Sequence, residues 1–303
     1  MKKSLLRVYL LLLTAGCLVT VQAAPKPAKV LDLWPGVAPG EKGDIPPEVL
    51  RLPKPNDKKK VDRIANVSKP ILSFFPAPKA GNTGSAVVVC PGGGYNILAY
   101  DLQGTEVCEW LNSIGVEAVV LKYRVPRRDG KKPYLLPLQD LHRSIRIVRS
   151  KAKEWKIDPK RLGVMGFSAG GHLSAMSSAF YIEHGYKPVD AIDKLDMRPS
   201  FVALIYPAYL GNAKTDSEKL DPLVQVSPST PPTFIAITHD DGDRALFAAL
   251  YYARLRQNRV PAELHIYSRG GHGYGLRPSK NPVSTWPARL EDWLRSSGWL
   301  KKK

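Results

Sequence analysis

Six short runs of this chain are apolar almost throughout, and most lead into a stretch that reads as a helix. The runs are Ala86–Cys90, Ala118–Tyr123, Leu162–Met165, Phe201–Tyr206, Thr233–Thr238 and Leu264–Tyr267. A strand with one wet face alternates apolar and polar residues. A strand that is apolar on both faces must be covered on both, as parallel strands between helical layers are. The clearest helical stretch puts Leu138, Leu141, Ile145, Val148 and Trp155 on one face and turns Asp140, Arg143, Arg146 and Lys153 outward. Others run from Ala169 to Tyr181, Arg244 to Asn258 and Thr285 to Ser296. Strand and helix alternating over short links predict one α/β domain over 61–300, a mostly parallel sheet with helices on both faces.

The flanking segments follow other rules. Eight prolines between Pro25 and Pro55 make 24–60 read as an irregular arm, held down by Leu31, Leu33 and Trp34. Residues 61–76 read as an additional antiparallel strand pair. The longest break between strands, Pro207 to Pro232, is polar and is the candidate lid.

The first residues have the pattern of an export signal. Lys2, Lys3 and Arg7 precede a fourteen-residue apolar run, Val8 to Val21, and Val21-Gln22-Ala23 fits a cleavage site after residue 23. A membrane span needs about 20 apolar residues, so the run predicts a signal peptide over 1–23 and a periplasmic or secreted protein. A lipoprotein anchor at Cys17 competes, but Thr14 stands where such a signal usually has Leu.

Lys and Arg outnumber Asp and Glu by 45 to 27, and +15 remains on 280 residues once 1–23 are removed. No helix-turn-helix, zinc-finger or aromatic RNA-binding pattern accompanies the charge, which argues against nucleic acid. It leaves a solvated basic surface or electrostatic association with an acidic polymer. Cys90 and Cys108 are expected as buried free thiols, and no Cys/His cluster has metal-ligand spacing.

The chemistry is concentrated in Gly166-Phe167-Ser168-Ala169-Gly170, which closes one apolar run and opens a helical stretch. Gly-x-Ser-x-Gly between strand and helix is a nucleophile elbow: small residues let the backbones approach while Ser Oγ sits exposed on a tight turn. A serine hydroxyl needs a base, and the base needs an orienting carboxylate. His272, in Gly270-Gly271-His272-Gly273-Tyr274 past the last run, is free to swing to the sheet edge. His142, His184 and His265 suit surface or core roles, and His172 suits support of the elbow. The acid lies in His239-Asp240-Asp241-Gly242-Asp243 after the fifth run, with Asp240, Asp241 and Asp243 as rivals. Pro91-Gly92-Gly93-Gly94-Tyr95 can turn bare N–H groups toward an oxyanion, with the Ala169 N–H as partner donor. No Lys-Ser/Thr follows the glycines, so a phosphate cradle is excluded. Such a site needs no metal or organic cofactor.

These residues resemble the α/β-hydrolases, and more narrowly the exported bacterial carbohydrate esterases of the acetylxylan-esterase type. The likeness runs through Cys90 to Tyr95, Leu121-Lys122-Tyr123-Arg124, Gly166 to His172, Pro231-Pro232-Thr233, Asp240-Asp241, and Glu263 to Tyr267 continuing to Gly273. It implies an α/β-hydrolase fold with Ser168 as nucleophile, His272 as base, Asp241 as acid, and Gly93, Gly94 and Ala169 as oxyanion donors. Pro91 stands where lipase-type relatives have His, which argues against a long-chain lipase. Arg244-Ala245 stands where many relatives have Val-Pro.

Three functions compete. One is a serine esterase removing acetyl from a xylan-like polysaccharide, with feruloyl or general carboxylester hydrolysis as its near variants. Another is a peptidase of the prolyl-oligopeptidase type, which normally carries a propeller domain that the roughly 60 residues before the sheet cannot form. The third is a non-catalytic carbohydrate-binding relative, which would be expected to lack a triad member. Tyr95, Tyr100 and Tyr274 flank the motifs and are candidates either to stack on sugar rings or to line the core.

Overall fold

The computed structural model describes residues 26–57, 59–130, 132–179 and 185–300. The signal over 1–23, Cys17, His184, the end of the helical stretch at Tyr181 and the basic C-terminal residues 301–303 lie outside the described residues.

Eight strands form the central sheet: β1 (Lys29–Asp32), β2 (Ile71–Phe75), β3 (Ala86–Cys90), β4 (Glu117–Lys122), β5 (Leu162–Phe167), β6 (Phe201–Ile205), β7 (Thr233–Thr238) and β8 (Ala262–Tyr267). Their order is β1-β2-β4-β3-β5-β6-β7-β8. Only β2 runs against its neighbours; the pairs from β4 to β8 are parallel. All six apolar runs are strands of this sheet, and every residue of β3, β5, β6 and β7 is buried.

Five α-helices flank it: α1 (Glu106–Ser113), α2 (Leu135–Ser150), α3 (Ala169–Ala179), α4 (Asp243–Gln257) and α5 (Trp286–Ser296). Successive side chains of a strand point to opposite faces. Phe167 of β5 meets Trp286 of α5 edge-on, at 6.1 Å between ring centroids. Gly166 faces α3 so closely that a Cβ there would lie 2.0 Å from Gly170 O. One strand is thus covered by α3 on one side and α5 on the other, as its all-apolar pattern demands.

Three expectations change. The arm is not irregular throughout: Lys29–Asp32 is the edge strand β1, and Val49–Arg51 joins Arg63–Ala65 and Ile97–Ala99 in a small antiparallel sheet. The two strands within 61–76 do not pair with each other, because Arg63–Ala65 belongs to that small sheet and Ile71–Phe75 to the main one. The third concerns α2. Asp140, Arg143 and Arg146 are 0%, 2% and 2% exposed rather than turned to water. The arm and the segment around 186–195 cover that face. Asp140 accepts from Trp34 Nε1 at 2.9 Å and from Arg124 Nε at 2.9 Å. Arg143 reaches Asp190 and Asp193 at 2.5 and 2.9 Å. Trp155 lies beyond α2 and stacks on Phe74 at 4.1 Å. Cys90 and Cys108 are buried and unbridged. No helix among the described residues is long and apolar enough to cross a membrane.

Candidate active site

The turn from β5 into α3 places Ser168 at φ 53°, a left-handed conformation that non-glycine residues seldom adopt. Neighbouring backbone holds it there. Its N–H donates to Ile205 O at 3.1 Å, and its carbonyl accepts from His172 N at 3.0 Å and Ala208 N at 3.0 Å. A Cβ at Gly170 would sit 2.0 Å from Cys90 O, so only glycine lets α3 begin this close to β3.

His272 Nε2 lies 2.7 Å from Ser168 Oγ, and His272 Nδ1 lies 2.7 Å from Asp241 Oδ2. A buried carboxylate accepting from Nδ1–H leaves Nε2 as the acceptor of the serine proton. The sequence rivals separate clearly. Asp240 accepts instead from the Gly270 and Gly271 N–H groups, at 3.1 and 2.8 Å. These two bonds, the larger effect being that of Gly271, hold its carboxyl below the usual Asp range. Asp243 is exposed in the first turn of α4. His172 is buried, its Nδ1 2.8 Å from Tyr95 Oη, and burial lowers its pKa to about 4. His265 pairs with Glu263 on the edge strand β8, and His142 is buried inside α2.

The glycine loop after β3 passes over the serine: a Cβ on Gly92 would lie 2.8 Å from Ser168 Cβ. The Gly92 N–H is already taken by Gln103 Oε1 at 2.7 Å, so it is not free for a ligand. Gly93 adopts φ 139°, and a Cβ there would lie 2.0 Å from Ile97 O. Gln103 sits in a π-helical turn, Asp101–Thr105, of the kind that recurs at functional sites.

Four supporting residues were given no role in the sequence reading. Gln103 is one. Lys59 Nζ, from the arm, donates to His272 O and Gly273 O at 2.8 and 2.9 Å, and desolvation lowers its pKa. Arg244 Nη1 donates to the second oxygen of Asp241 at 3.0 Å; its departure from the Val-Pro of relatives was the available clue. Tyr209, in the candidate lid, borders an open cleft of about 720 Å³ with Arg127, Tyr134, His172, Arg244 and Phe247. Of the tyrosines read as sugar-stacking or core-lining, Tyr95 is fully buried behind Tyr209, and Tyr100 is turned to Ser73 Oγ at 3.2 Å. Among the described residues, no group of three or more His, Cys, Asp or Glu is placed to hold a metal ion.

The family model described as BD-FAE matches residues 72–205. The chain is 31% identical over 256 residues to an acetylxylan esterase of Xylanibacter ruminicola, covering 76% of this chain and 48% of that protein. It is 28% identical over 204 residues to endo-1,4-beta-xylanase B of Butyrivibrio fibrisolvens, covering 62% of this chain and 32% of that one. The chain therefore spans half or less of the length of these curated relatives. The crystal structure of an acetyl ester-xyloside bifunctional hydrolase from Caldicellulosiruptor lactoaceticus matches with TM-score 0.70 and 32% identity, over 92% of this chain and 100% of that one. A chain with this strand order, similar over nearly its whole length to such a hydrolase, belongs to the α/β-hydrolase superfamily, among the esterases that resemble acetylxylan and other carbohydrate esterases.

Proposed function

We propose that this chain is a serine carboxylesterase that releases small acyl groups, acetyl foremost, from a xylan-like polysaccharide, and that it works outside the cytoplasm after export through residues 1–23. The observation that carries the reaction is the unbroken relay Asp241–His272–Ser168, with both links at 2.7 Å.

In this reading Ser168 Oγ attacks the ester carbonyl as His272 Nε2 takes its proton, and Asp241 supports the imidazolium. The N–H groups of Gly93, Gly94 and Ala169 receive the oxyanion. Collapse expels the sugar hydroxyl, protonated from Nε2, and leaves an acyl group on Ser168. Water activated by the same histidine then releases the acid.

The similarity to an acetylxylan esterase and to an acetyl ester-xyloside bifunctional hydrolase supports a carbohydrate ester, and the polar segment between Pro207 and Pro232 supports a short acyl group. Each methylene left in water rather than an apolar wall forfeits about 0.8 kcal/mol of binding. Acyl release should be measured across acetylated xylan, mannan and pectin, feruloyl esters and triglycerides. The expected result is fastest release of acetate from xylan; fastest release of octanoate or longer acids would overturn the reading.

A further inference from the structure

We propose that Tyr209 is a sugar-stacking platform that selects esters of a pyranose ring, an inference that rests on the carbohydrate-ester reading above. Tyr209 is a large aromatic side chain left 46% exposed, and it lines an open cleft with His172, one turn of α3 past Ser168, and Arg244, which donates to Asp241. Its ring is not loose. One face stacks on buried Tyr95, with centroids 6.1 Å apart and planes at 20°, and His172 meets it edge-on at 5.9 Å.

The backbone fixes the position further. Tyr209 holds φ 56°, a conformation costly for a bulky residue that persists only where the surroundings enforce it. The preceding Ala208 N–H donates to Ser168 O at 3.0 Å, so the ring is registered to the nucleophile through a single peptide. Its hydroxyl reaches the glycine loop, 3.5 Å from where a Cβ of Gly94 would stand. A rigid aromatic face in a fixed relation to both Ser168 and Gly94 is the arrangement that orients a flat, hydrated ring by its apolar side. The cleft beyond it, about 720 Å³, is far larger than an acetyl group requires, so it takes the alcohol part of the ester. Asn212 and Arg127 also line this space and supply polar groups to sugar hydroxyls.

The test compares kcat/KM for acetylated xylotriose and for 4-nitrophenyl acetate, an ester without a sugar, in the full chain. Tyr209→Ala should lower the ratio of the two at least tenfold, through KM for the sugar ester. Tyr209→Phe, which keeps the ring, should hold the ratio within about twofold. Tyr209→Asn, whose backbone tolerates the left-handed conformation, gives the same reading if the alanine variant folds poorly. An unchanged ratio in both ring-removing variants would overturn the platform alone. A wild-type protein that cleaves 4-nitrophenyl acetate but releases no acetate from any acetylated sugar would overturn the carbohydrate reading and the platform with it.

Discussion

Asp240 and Asp241 are neighbours in sequence that hold the same loop by different atoms. Asp241 Oδ2 takes the imidazole of His272 at 2.7 Å, while Asp240 takes the backbone N–H groups of Gly270 and Gly271 just before it. One carboxylate orients the ring and the other anchors the peptide that carries it. Asp241→Asn should lower kcat for an acetate ester about 10⁴-fold, by presenting the wrong tautomer to Ser168. Asp240→Asn should cost less than about tenfold: the two N–H groups reach different carboxylate oxygens, so the amide oxygen keeps one of the two bonds, and Asp240 does not touch the imidazole. Steady-state kinetics at pH 7 separate the two, and equal losses would show that the roles are not divided this way.

The glycine loop makes a steric prediction. Gly93→Ala would drive a Cβ to 2.0 Å from Ile97 O, so the loop must move off the serine. Loss of an oxyanion donor costs about 10²–10³ in kcat, and a loss of that size is expected in protein with an unchanged circular dichroism spectrum. At Gly94 a Cβ would meet Tyr209 Oη at 3.5 Å, leaving only the strain of φ 65°. Gly94→Ala should therefore be the milder variant, and the reverse ranking would contradict the geometry.

Acid should loosen the covered face of α2. Desolvation pushes the Asp193 carboxyl up, but Tyr186 Oη, the Val189 N–H and Arg143 together hold it below the usual Asp range; Arg143 does the same for Asp190. A carboxyl with a depressed folded pKa stabilises the fold above the unfolded value of about 4, and this contribution disappears as pH falls through the lower folded value. Asp193→Asn, breaking a buried ion pair, should cost about 3–5 kcal/mol at neutral pH. Urea midpoints should show the gap to wild type narrowing between pH 5 and pH 2.5. A gap that stays constant would mean that the charge on Asp193 contributes nothing.

What could be read from sequence and what could not divides along a physical line. Strands β3 and β7 were legible to the residue, because a run such as Ala86–Cys90 has no polar side to give to water. Ser168 was legible because strand, glycine spacing and helix coincide within a few residues. The charged face of α2 was misread because its partners Trp34, Asp190 and Asp193 are remote in sequence, and an arginine in a periodic helix carries no sign that an arm will cover it. Tyr209 left no trace for a similar reason. A single tyrosine in a polar segment becomes notable only when Tyr95, His172 and Gly94 are seen around it.

Acyl length offers an independent check on the short-chain reading. Across 4-nitrophenyl acetate, butyrate and octanoate, kcat/KM should fall steeply beyond butyrate, since added methylenes remain in water. A rise from acetate to octanoate would reveal an apolar acyl channel that the reading does not include.

Each step of the proposed reaction depends on the reactivity of one hydroxyl, that of Ser168. Full-length protein treated with a small organophosphate and digested should carry one equivalent of phosphoryl group on the peptide containing Ser168, in step with loss of esterase activity. Ser168→Ala, folded, should take up no label and retain less than about 10⁻⁴ of wild-type kcat. Label on another residue, or a folded Ser168→Ala protein keeping a tenth of the activity, would contradict the assignment of Ser168 as nucleophile.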